Sequence, residues 1–222
     1  MVEQSALSWF ESFDWKGPTR AGRSEAKEHW DMHSKDDLIQ PHGGYRRLRS
    51  FQTARLVYDA TVAFCDRFVD KRSRTHDQMV QAARSGVQNI AEGSMASATS
   101  KKMELKLTGV ARASLEELLL DYEDFLRQRR LRIWGKDSAE ALAVRRKYRS
   151  DTSDKSDQSD TSDPYGIKTA SAEVAANSII CLINQASFLL GRQLKKLEHA
   201  FLAEGGFTER LYRKRHERRR DT

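Results

Sequence analysis

Proline is nearly missing, with three in 222 residues, and cysteine occurs only twice. So few helix breakers favour long uninterrupted helices over a loop-rich globular enzyme. Two cysteines, Cys65 and Cys181, cannot form a disulfide framework or a zinc ligand set, and both sit on predicted apolar helix faces. The expectation is buried, reduced thiols. No window reads as the ~18 apolar residues of a membrane span, and the N-terminus lacks a basic region followed by an apolar run. These absences predict a cytoplasmic protein without membrane contact. Glycine-rich phosphate loops and nucleophile elbows are missing as well.

What remains is strongly polar. Charged residues make up 32% of the chain and hydrophobic ones 38%, with a net charge of +7. Such a surplus permits binding to polyanions. One core, with extensions, fits the length.

The stretch from Thr75 to Asp124 sets the fold. Thr75 and Gln78 have capping-box spacing. Met79, Ala83, Val87 and Ile90 follow at helical steps, and Gly93 reads as the stop. Ser97, Thr99 or Ser100 caps the next helix. That helix carries Met103, Leu107, Val110, Ser114, Leu118, Tyr122 and Phe125 on a nearly heptad seam, with Leu115, Leu119 and Leu126 beside it. An apolar stripe about 45 Å long needs partners along its whole length.

Two more long helices supply them. One spans about Tyr45 to Val69, with Phe51, Ala54, Tyr58, Thr61 or Val62, Cys65 and Phe68 inward. The other spans about Ala170 to Ala203, with a face from Ala175 to Phe201 broad enough to be covered by a second subunit too. Asp137 or Ser138 caps a short helix ending near Arg149. Residues 150–163, S-D-T-S-D-K-S-D-Q-S-D-T-S-D, hold no apolar residue, and a disordered linker is expected there. The predicted fold is all-α: an antiparallel up-down four-helix bundle with a short extra helix, that linker and a basic C-terminal helix. Residues 1–44 form an arm with Trp9, Phe10, Phe13, Trp15 and Trp30, 45–203 the bundle, and 204–222 a basic suffix.

The segment Q-A-A-R-S-G-V-Q-N-I-A-E-G-S, Gln81 to Ser94, resembles the signature of the bacterial four helix bundle protein family. There a helix ending in N-I-A-E-G precedes a long helix rich in leucine and glutamate. The family includes proteins encoded in intervening sequences of 23S ribosomal RNA genes. It is related to the accessory variability proteins of diversity-generating retroelements. The likeness covers about Leu38 to Tyr148 and the last long helix. E-G-G-F-T-E-R-L-Y-R-K-R, Glu204 to Arg215, is similar to the suffix of one subgroup. The resemblance implies RNA, or a reverse transcriptase–RNA complex, as partner, and a ring-like homopentamer.

Chemistry-bearing constellations are weak. His29 and His33 in H-W-D-M-H have ligand spacing without a third ligand, so they read as solvated. Glu117, Asp121 and Asp124 share a face with Glu116 and Glu123 nearby. A two-metal nuclease site is the sharp reading of that face, and a solvated acidic surface pairing with Arg127 the preferred one. The expectation is a non-enzyme with no cofactor and no bound metal. Arg84, Gln88, Asn89 and Glu92 recur beside the apolar stripe as structural residues. Of these, Asn89 and Glu92 are placed to bond backbone groups of the following turn. Nucleic-acid contacts are assigned to Arg210, Arg213, Lys214, Arg215, Arg218, Arg219 and Arg220 in the tail, with Arg46, Arg47 and Arg49 in the basic first turn of the first long helix. Few aromatics lie among the tail arginines, so base stacking is not expected. The alternative is a homo-oligomeric protein-interaction scaffold.

Overall fold

The computed structural model describes residues 43–153, 163 and 165–220. The aromatic arm, with His29 and His33, lies outside the described residues. A short 3-10 turn, Gly44–Arg47, precedes α1 (Arg49–Phe68), α2 (Arg74–Ala96), α3 (Lys101–Gln128), α4 (Ala139–Ser153), α5 (Ala172–Glu204) and α6 (Phe207–Arg220), and no strand occurs among the described residues. The chain is all-helical. α1 and α3 each pack against both α2 and α5, while α4 lies on α5.

One core fills the space between the long helices. Phe64 touches the rings of Phe68, Tyr122 and Phe125, with centroids 4.8–5.1 Å apart. Burying Tyr122 requires a partner for its hydroxyl, which donates to Thr61 Oγ1 at 3.1 Å while Thr61 donates to Val57 O. Val57, Ala60 and Phe64 therefore join the inward face of α1, and Tyr58 and Phe68 are only half-buried.

Several boundaries differ from the sequence reading. Leu48, extended at φ −72° and ψ 125°, separates the 3-10 turn from α1, so Arg46 and Arg47 precede that helix. Ser73, not Thr75, caps α2 by accepting from the N–H of His76. Ser100 caps α3 in the same way, and Ser138 accepts the N–H of Ala141 at the start of α4.

Gly93 does not end its helix, because α2 continues to Ala96. The residue is needed for closeness instead. A Cβ there would sit 3.3 Å from Leu107 Cβ and 3.4 Å from Glu104 O. This approach also rotates the expected seam of α3. Glu104, Thr108 and Ala111 are buried, and Met103 and Val110 are 43% and 39% exposed. Small side chains suit the tight crossing, and the leucine seam holds only from Leu115 onward.

The polar connections are anchored by named bonds. Asn177 on α5 accepts from Trp134 N and donates to Arg132 O, each at 2.8 Å, fixing the turn after α3. Tyr148 on α4 shares a hydrogen bond with Thr53 on α1. Arg67 donates to Ile167 O and Ala170 O, holding the approach to α5. α4 reaches Ser153 rather than Arg149. The expected disorder of the serine–aspartate segment falls mostly on residues 154–162, outside the described residues. Asp163, inside them, accepts the N–H groups of Ile167 and Lys168. One window starting in α5 is long and apolar enough to cross a membrane, with mean hydropathy 1.5, contrary to the sequence reading. More than half of it is buried, as in a core helix, and α5 packs on α1, α3 and α4.

Candidate nucleic-acid interface

Local contacts bring three helix termini and the later part of α5 together. Gly43 N donates to Ser94 O at 3.4 Å, joining the entry of α1 to the end of α2. Gly43 has φ +81°, and a side chain there would collide with Met95 Sδ. Ser50 Oγ donates to Gln193 Oε1 at 2.6 Å, tying the start of α1 to the later part of α5. Four residues separate the end of α2 from the start of α3.

Basic residues distant in sequence converge there. Arg46, Arg47 and Arg49 are exposed, and the Arg46 guanidinium lies over the Tyr45 ring at 5.4 Å. Exposed Lys102 and Lys106 on α3, and Arg192, Lys195 and Lys196 on α5, join them. The sequence reading missed these five. Each lysine pair looks like an ordinary solvated patch until the topology places the pairs near one another.

α6 follows α5, which runs eleven residues past Gln193 before ending at Glu204. Gly205 has φ +72°, which glycine tolerates best, and donates to Phe201 O. Glu209 accepts the N–H of Gly206 at 2.8 Å. α6 buries no residue. Arg213, Arg215, Arg218, Arg219 and Arg220 are exposed, and Arg210 and Lys214 are half-buried. Arg210 Nε and Nη2 are covered and have no hydrogen-bond partner among the described residues.

The signature residues divide. Arg84, Gln88 and Glu92 lie on the exposed side of α2, and Gly93 faces α3. Asn89 bonds backwards rather than to the next turn: its Nδ2 donates to Ser85 O and Oγ at 2.9 and 3.1 Å. Ser85 in turn bonds Ser114 across the α2–α3 crossing.

The carboxylates of α3 also divide. Glu117 lines a cleft of about 450 Å³ with Arg74, Asp77, Ser85 and Ser114. Asp121 and Asp124 line another of about 330 Å³, with Asp70, Val69 and Phe125. Asp124 pairs with Arg127 at 2.7 Å. Burial, then Glu117 and Asp124, raise the proton affinity of Asp121. Among the described residues no three His, Cys, Asp or Glu side chains are grouped to hold a metal ion. Both cysteines are free. Burial pushes the Cys65 thiol up to about 12, which leaves it protonated and unreactive at neutral pH.

No family model matches the chain, and neither a curated protein nor a solved structure matches it.

Proposed function

We propose that the chain is a non-enzymatic, homo-oligomeric helical bundle that binds nucleic acid, RNA foremost, through Arg46, Arg47 and Arg49 at the start of α1 and through the basic helix α6. The observation that carries this reading is the gathering of Arg46, Arg47 and Arg49 with cations of α3 and α5, beside a separate basic helix, α6, with no fully buried residue. The proposal includes an antiparallel up-down arrangement of α1, α2, α3 and α5. In its support, Ser85 and Gly93 of α2 meet Ser114 and Leu107 of α3, so contacts rise on one helix as they fall on the other.

Self-association belongs to the same proposal. Phe188 and Leu202 on α5 are 60% and 77% exposed, a large apolar outlay for a helix that contacts only its own chain. The likeness of Gln81–Ser94 to the four helix bundle protein signature supports RNA or a reverse transcriptase–RNA complex as partner class and a ring-like pentamer as assembly. Electrophoretic mobility shifts with RNA and DNA at two salt concentrations, with the native mass, test the proposal. A complex that weakens steeply with salt is expected. Absence of any complex at low salt refutes the nucleic-acid reading and leaves the scaffold alternative.

A further inference from the structure

α6 carries two exposed aromatic rings on one line of the helix. Tyr212 is 71% exposed, His216 lies one turn on and is exposed, and their centroids are 6.3 Å apart with planes inclined by 31°. At 3.6 residues per turn, Arg215 and Arg219 flank this line on one side, and Arg213 and Arg220 flank it on the other. The sequence reading saw too few aromatics among the arginines for stacking. The structure gives instead a pair of rings lying between two cationic rows.

We infer that Tyr212 and His216 form a stacking platform for an unpaired base of single-stranded nucleic acid, with the flanking arginines holding its phosphates. This rests on the nucleic-acid reading above and narrows it to strands with accessible bases. The dimensions fit. A base stacked on both faces needs rings about 7 Å apart, twice the roughly 3.4 Å repeat along a strand. The 6.3 Å between the two centroids is close to that spacing. Tyr212 and His216 are exposed, so a base can approach them without displacing the core. Within a duplex the bases are already stacked on each other, so such a platform recognises single strands, loops and ends.

Fluorescence anisotropy of the full chain with a labelled RNA single strand, the same strand with abasic sites, and its duplex tests this. Tyr212→Ala and His216→Ala are each expected to weaken single-strand binding about tenfold, since each removes a base–aromatic stack. Binding to the abasic strand and the duplex should not change. Tyr212→Phe, which keeps the ring, should retain the affinity. If the alanine variants bind the intact strand as the native chain does, or lose all three ligands equally, the stacking platform is refuted while polyanion binding stands. If the native chain binds none of the three at low salt, the underlying nucleic-acid reading falls with it.

Discussion

At the residue scale, two buried positions show how sterics and charge decide the α2–α3 crossing. Gly93→Ala gains about 1 kcal/mol of helix propensity but inserts a methyl against the Leu107 Cβ and the backbone of Glu104. Backbone cannot rotate away, so overpacking of about 1–3 kcal/mol outweighs the gain. The variant is expected to melt a few degrees lower, as read by calorimetry. Glu104, 8% exposed, has a proton affinity raised by burial and only partly offset by Lys101. A raised carboxyl pKa means that the folded chain holds the proton more tightly than the unfolded one. Stability is then greatest below the ordinary value of 4.5 and falls as pH rises through the raised value. Glu104→Gln should raise the melting temperature at pH 7 by about 2 °C and change it little near pH 4. Neither feature was readable beforehand. The glycine has the spacing of a helix stop, and a glutamate near a helix start looks solvated, until the facing helix is in place.

At the element scale, helix existence was legible and helix rotation was not. Apolar periodicity located α1, α2, α3 and α5 to within a few residues, because four long amphipathic segments leave little else for the chain to do. The inward face of α3 was misread where large residues gave way to Glu104, Thr108 and Ala111, since the tight crossing at Gly93 is a property of two helices together. The cap of α2 was misassigned by two positions because Ser73 and Thr75 are chemically equivalent candidates. α6 shows the opposite balance, with its charge plain and its geometry hidden: the ring pair depends on a helical turn between residues 212 and 216. Because α6 buries no residue, removal of residues 207–222 should leave the melting temperature within about 2 °C. The same deletion should abolish most nucleic-acid affinity in anisotropy measurements. A large loss of stability would mean that α6 holds the fold together.

At the scale of the whole molecule, topology places cationic residues distant in sequence near one another. The candidate contacts assigned from sequence were two clusters far apart in the chain, and the fold adds Lys102, Lys106, Arg192, Lys195 and Lys196 near the first of them. If six to ten of these cations meet phosphates, affinity should fall about 10³- to 10⁵-fold between 50 and 200 mM salt. A shallow dependence in a titration would instead favour protein contacts. The two anchored flanks of residues 154–162 have a separate consequence. Tyr148 is fastened to Thr53 on one side, and Arg67 grips Ile167 and Ala170 on the other. Neither flank relies on the intervening peptide for its position. The backbone can therefore be severed or lengthened between them, giving a graft point for a reporter with the core left intact, one flank lying a turn from Arg49 and the other at the opposite end of α1.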